Sequence, residues 1–139
     1  MTIAIVDYNA GNLRSVLLAV ERAGGDAVVT QASEEVLSAE RVIFPGVGAA
    51  RAAMGELTQL GLDATIREVI ARGTPVLGIC LGTQIILDES DEDGGTPCLG
   101  IIAGRARRFP EGDQARPEAR KVPHMGWNAV RLTKTHPVF

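Results

Sequence analysis

The segment Gly78-Ile79-Cys80-Leu81-Gly82 sets a thiol between two glycines, each two positions away. It is the cysteine form of the G-x-S-x-G nucleophile elbow, a sharp turn from strand into helix that exposes its central side chain. Such a turn forces the central residue into strained backbone, and the chain bends that sharply only when the residues two positions to either side are small. Gly78 and Gly82 meet that requirement. The turn also sets Cys80 at a helix N-terminus, where unpaired N–H groups and the macrodipole favour the nucleophilic thiolate. A cysteine can instead serve as a small buried hydrophobe, but the paired glycines weigh against that role. The expected chemistry is acyl transfer with Cys80 as nucleophile.

Acyl transfer also needs backbone donors aimed at the developing oxyanion, each worth about 100- to 1000-fold in rate. The Leu81 N–H is one natural donor. Pro45-Gly46-Val47-Gly48 closes an earlier strand and offers a second main-chain N–H, because its glycines permit close approach and peptide reorientation. Taken alone, that segment is equally an ordinary strand-to-helix turn. Cys80 and Cys98 have no metal-ligand spacing with either histidine and are too few for a disulfide framework, so reduced thiols and no metal site are expected. Cys98 follows Pro97 in a loop with nothing to stabilise a thiolate, which leaves Cys80 as the expected reactive thiol.

Positioning these residues requires strands that end where they stand. Thr2 to Val6 is a short apolar, β-branched run that reads as a buried strand. Leu13, Val16, Leu17 and Val20 then follow helical spacing, with Asn12 as N-cap and Gly24-Gly25 as the stop. Ala27 to Thr30 and Arg41 to Phe44 repeat the strand signal, and the stretch around Ser33 to Leu37 between them has room for only a turn or two of helix. Helices are expected over Ala49 to Leu57 and from Leu62 to Gly73. Val76 to Ile79 reads as a central strand covered on both faces, and Leu81 to Leu87 as the helix behind the elbow. Strand and helix thus alternate four times. The fold class that follows is α/β: an open, doubly wound, mostly parallel sheet flanked by helices, with ligands bound beyond the carboxyl ends of the strands. Past an acidic loop at Asp88 to Asp93 the pattern changes to hairpin-type strands, with candidates around Ile101, Arg107 to Phe109 and Asn128 to Leu132. The polar Pro110 to Lys121 stretch reads as an exposed loop.

The 139 residues suit one domain, and 45% hydrophobic content supplies a sizeable core. No run reaches the roughly 18 to 20 apolar residues that cross a bilayer, and the start has no leader pattern, so a cytoplasmic location without membrane contact is expected. Net charge is -3 and aromatics are 4%, which argues against nucleic acid as a partner. Charge is uneven: residues 1–93 hold 6 basic and 14 acidic side chains, residues 94–139 hold 8 and 3. A basic end could face a phosphorylated ligand or an acidic partner, although scattered arginines commonly mark a solvated surface.

Four segments together resemble the class I glutamine amidotransferases, and within them the glutaminase subunits of imidazole glycerol phosphate synthases. They are Gly11-Asn12, Pro45-Gly46-Val47-Gly48, Gly78 to Gln84 and Lys121-Val122-Pro123-His124-Met125-Gly126-Trp127-Asn128, of which the last is the most discriminating. Thr83 stands where the family usually has methionine. The resemblance implies glutamine hydrolysis through a cysteinyl thioester. Ammonia would pass to a barrel-shaped cyclase subunit, forming a heterodimer that makes imidazole glycerol phosphate and AICAR in histidine biosynthesis. No cofactor is implied. By position, Cys80 matches the nucleophile, Gly46, Val47 and Gly48 the oxyanion strand, and Leu81, Gln84 and Glu92 the glutamine pocket. Asn12 and Pro123, His124, Met125, Gly126, Trp127 and Asn128 match the face toward the cyclase. As the sole tryptophan, Trp127 suits either an interface anchor or a core filler. The family completes its site with an H-P-E segment. In the family that segment lies downstream of the positions matched by residues 1–139. His136-Pro137-Val138-Phe139 lacks the glutamate and better matches the H-P-x-F stretch that follows H-M-G-W-N in the family, so residues 1–139 are expected to form one amidotransferase-like domain without the family's C-terminal segment and without its H-x-E pair. Two other functions stay open: an inactive docking module for the synthase, and an unrelated cysteine hydrolase with its own base.

Overall fold

The computed structural model describes residues 2–109 and 126–135, which fall into two compact units, Met1–Arg108 and Phe109–Phe139. All regular secondary structure among the described residues belongs to the first unit. Strand β1 (Thr2–Val6) buries four of its five residues, as a central parallel strand must. Helix α1 (Leu13–Arg22) starts at Asn12, whose Oδ1 accepts from the Ser15 N–H at 3.3 Å. Then come β2 (Asp26–Thr30), α2 (Ser33–Ser38), β3 (Arg41–Phe44), α3 (Ala50–Leu60), α4 (Leu62–Ala71), β4 (Val76–Gly78) and α5 (Leu81–Ile85). These four strands form one parallel sheet in the order β2-β1-β3-β4. The chain moves from β1 to β2 on one side and to β3 on the other, so the crevice for a ligand opens beyond the carboxyl ends of β1 and β3.

Side-chain alternation gives the sheet two faces of unequal cover. Ala4, Val6, Val42 and Phe44 join Val36, Leu57, Leu62, Ile66, Val69 and Ile85 in a single core against α2 to α5. On the other face, Ile5, Ile43 and Leu77 lie in register across β1, β3 and β4. Helix α1 covers that face over β1 and β2 only: Ile5 is buried, Ile43 half-buried and Leu77 54% exposed, and no residue of α1 is fully buried. Strand β4 is therefore an edge strand among the described residues, not the covered central strand that its apolar sequence suggested. A run of apolar residues signals burial potential and does not say what supplies the cover.

The elbow helix is also shorter than its sequence pattern. It ends at Ile85, and Leu87–Ser90 becomes β5, drawing half of the expected acidic loop into a second, three-stranded sheet. There β5 pairs antiparallel with β6 (Thr96–Pro97), as a hairpin does, but parallel with β7 (Ile102–Ala106). The strand expected near Ile101 is β7. Arg107 to Phe109 and Asn128 to Leu132 form no strand. Asp88, Glu89 and Asp91 bind within this sheet: Asp88 accepts from the Gly104 N–H, and Arg105 pairs with both Glu89 and Asp91. Their charge is satisfied by strand neighbours, which a composition-based loop assignment does not register. No helix among the described residues is long and apolar enough to cross a membrane.

Candidate active site

The carboxyl ends of β1, β3 and β4 meet at Cys80, which has φ 53° and ψ −117°. For a non-glycine residue this backbone costs on the order of 1–3 kcal/mol and persists only where the surroundings impose it. Here they do. The Ile79 N–H donates to the Phe44 carbonyl at 3.0 Å, and the Thr83 N–H donates to the Cys80 carbonyl at 3.0 Å, fixing the turn on both sides. Gly82 packs directly on β3, where a Cβ would lie 2.0 Å from the Phe44 oxygen. Gly78 faces the Thr83 backbone, 3.2 Å from where a Cβ would stand. Both glycines thus serve the close approach expected of them, and the Cys80 side chain is left exposed. The helix behind it has five residues, so few aligned peptide dipoles act on the thiol.

Pro45 to Gly48 runs alongside this turn. Gly46 is buried, and a Cβ on it would come within 2.2 Å of the Tyr8 hydroxyl and 3.0 Å of the Gly82 nitrogen. The Leu81 N–H, one expected oxyanion donor, points at the Gly46 carbonyl at 3.4 Å. That is a long contact, near the weak limit for N–H···O. Val47 is 54% exposed and Gly48 has φ +93°, so the far half of the segment is open.

Tyr8, which motif spacing does not single out, belongs to the site. It is fully buried, its ring lies 5.5 Å from that of Phe44, and its hydroxyl donates to the Pro45 carbonyl at 2.8 Å. Burial, reinforced by the neighbouring Cys80, pushes the hydroxyl up to about 12, so it stays a donor throughout the neutral range. The available signal was a lone tyrosine just past a buried strand; its partner, 37 positions away, was not visible.

The other expected site residues are placed as follows. Cys80, Gly46, Val47 and Asn12 line one groove of about 450 Å³, whose remaining wall includes Val16, Val20, Ile43 and Leu77. That lining is too apolar for an amino acid's ammonium and carboxylate, so most of the groove is the open sheet face. Gln84 lies half-buried on α5. Glu92 accepts from the Ala50 N–H at 2.8 Å and so caps α3, while Arg51 donates to the Asp93 carbonyl at 2.6 Å and ties the same helix to the same turn. Asn12 caps α1. Gly126, Trp127 and Asn128 belong to the second unit, with Trp127 fully exposed. Pro123, His124 and Met125 lie outside the described residues, as does His136.

Comparison with known proteins gives concordant results. The sequence model described as "Glutamine amidotransferase class-I" matches residues 4–137. The chain is 46% identical over 142 residues to the imidazole glycerol phosphate synthase subunit HisH of Methylococcus capsulatus, covering 99% of this chain and 65% of that protein. It is 48% identical over 137 residues to the subunit of the same name in Geobacillus kaustophilus, covering 99% and 64%. The chain therefore spans about two thirds or slightly less of the length of these relatives. Among solved structures, a glutamine amidotransferase crystal structure matches with a TM-score of 0.64 at 22% identity, over 76% of this chain and 56% of that one. A putative peptidase E from Listeria monocytogenes EGD-e matches with a TM-score of 0.60 at 16% identity, over 73% and 62%. At such identities these two likenesses speak for the fold alone.

Proposed function

The chain belongs to the class I glutamine amidotransferase family, and from that premise we propose that it carries the nucleophile half of a glutaminase subunit of an imidazole glycerol phosphate synthase. The observation that carries this reading is Cys80 held exposed at φ 53° beside the Pro45 to Gly48 segment; the family description supplies glutamine as the substrate, and the names of its relatives supply the synthase. The Cys80 thiolate attacks the Cδ carbonyl of glutamine, and the carbonyl electron pair moves onto oxygen. Collapse of that intermediate re-forms the C=O bond and breaks the Cδ–N bond as a proton reaches the nitrogen. Ammonia leaves, and a γ-glutamyl thioester remains on Cys80. Water then adds to the thioester, a base takes its proton, and the C–S bond breaks to give glutamate and the free thiol. The ammonia passes to the cyclase subunit, with Asn12 and the Pro123 to Asn128 stretch on the face toward it. Leu81, Gln84 and Glu92 contribute to the glutamine pocket.

The oxyanion donors need one rearrangement. A trans peptide directs its C=O and N–H in opposite senses, so while the Gly46 carbonyl meets the Leu81 N–H at 3.4 Å, the Val47 N–H of the same peptide is turned away from Leu81. Rotating this single peptide releases the first donor and brings in the second. Gly46, which carries no Cβ, eases the rotation on one side of this peptide.

No histidine lies among the described residues, whereas thiol ionisation calls for a general base and ammonia departure for that group, once protonated, to act as a general acid. A second reading is a docking module that regulates the synthase without hydrolysing glutamine. We expect negligible turnover from a polypeptide of residues 1–139 alone, because the H-x-E pair that the family resemblance implies is not in it and a catalytic set acts as a unit. Ammonia release from glutamine by the intact gene product, assembled with its synthase subunit, separates the two readings.

A further inference from the structure

The Pro45 to Gly48 segment is held at Pro45 and followed by a second tether at Ala50, with Val47 and Gly48 open between them. Upstream, the buried Tyr8 hydroxyl donates to the Pro45 carbonyl at 2.8 Å. Downstream, the Glu92 carboxylate accepts from the Ala50 N–H at 2.8 Å. Between these points Val47 is exposed, and a Cβ on Gly48 would meet nothing within 4 Å. The upstream tether is the tighter of the two, because Gly46 is wedged between the Tyr8 hydroxyl and the elbow, with Gly82 N and Leu81 Cβ each 3.0 Å from where its own Cβ would stand. The Pro45 carbonyl belongs to the Pro45–Gly46 peptide, so this hydrogen bond holds the peptide immediately before the one that rotates. A buried tyrosine hydroxyl, in turn, needs a partner, and it takes that carbonyl.

We propose that Tyr8 is a positioning residue of the glutaminase site: its hydroxyl fixes the Pro45–Gly46 peptide, so that the next peptide turns about a set axis to offer the Val47 N–H to the substrate oxygen above Cys80. The inference rests on the glutaminase reading and goes beyond it by assigning a role to a side chain outside the elbow and the P-G-V-G segment. The hydroxyl's high pKa, about 12, keeps this tether intact over any neutral assay range.

The test is Tyr8→Phe in the intact gene product assembled with its synthase subunit. Removing the hydroxyl leaves the ring against Phe44, and turnover is compared with thermal melting and with alkylation of Cys80 by iodoacetamide. A misplaced oxyanion donor acts in the transition state, so kcat should fall about tenfold while KM for glutamine stays within twofold. The iodoacetamide rate should not change, because that reaction uses no oxyanion donor. Val36→Ala, which removes buried methyl groups from α2, serves as the stability control and should lower the melting temperature without lowering kcat. If Tyr8→Phe only lowers the melting temperature, with kcat per folded enzyme within twofold of wild type, the positioning role is overturned. If the wild-type assembly itself releases no ammonia, the glutaminase reading falls and this inference falls with it.

Discussion

At the scale of single residues, Cys98 and Cys80 are opposites. The Cys98 thiol is buried and donates to the Thr96 carbonyl at 3.3 Å; burial, with the Glu92 and Glu89 charges adding to it, pushes its pKa up despite a hydrogen bond from the Ser90 backbone. Raised pKa and burial both keep it as an unreactive thiol, whereas Cys80 is exposed. Limited alkylation of the folded chain, followed by mass mapping, should therefore modify Cys80 alone, and Cys98 should react only after denaturant is added. Equal modification of Cys98 in a folded sample would contradict the elbow argument. The elbow was legible in the sequence because a local geometric demand fixes its residue types: Gly82 stands where any Cβ would strike the Phe44 oxygen. Tyr8 was not legible, because what defines it is one hydrogen bond to a backbone carbonyl brought close by the pairing of β1 with β3. The cap that Glu92 places on α3 was hidden for the same kind of reason. Its partner, the Ala50 N–H, is 42 positions away.

At the scale of elements, hydrophobic pattern located the four parallel strands and the helices between them, because buried strands and amphipathic helices differ in period. The pattern said less about what covers each face. Leu57, fully buried on α3, and Leu77, 54% exposed on β4, are both apolar leucines in regular structure. In a polypeptide of residues 1–139, Leu57→Ala should cost about 2–5 kcal/mol through the cavity it leaves, and Leu77→Ala less than about 1 kcal/mol. Denaturant titration of the two variants checks the difference. Similar losses would mean that β4 is covered in solution. The elbow helix and β5 show a second limit: Leu87 continues the apolar spacing of α5, yet it pairs with Ile102 in a strand, and only the competing partner decides between the two.

At the scale of the whole molecule, the acidic first 93 residues carry the elbow and the oxyanion segment, while the basic remainder carries Gly126-Trp127-Asn128. Trp127 is fully exposed, which favours its role as a partner-facing anchor over that of a core filler. Trp127→Ala should weaken binding to the synthase subunit by more than about 1 kcal/mol, roughly fivefold, in a binding titration, with the melting temperature of the free chain unchanged. Unchanged affinity would remove it from the interface. The central claim is that Cys80 is the nucleophile of glutamine hydrolysis, and ammonia release tests it most directly. It is measured with the intact gene product assembled with its synthase subunit, comparing wild type with Cys80→Ala. The account predicts glutamine-dependent ammonia from the wild type and none above background from Cys80→Ala, with the variant still folded and still bound to its partner. Ammonia release that survives in Cys80→Ala would contradict it.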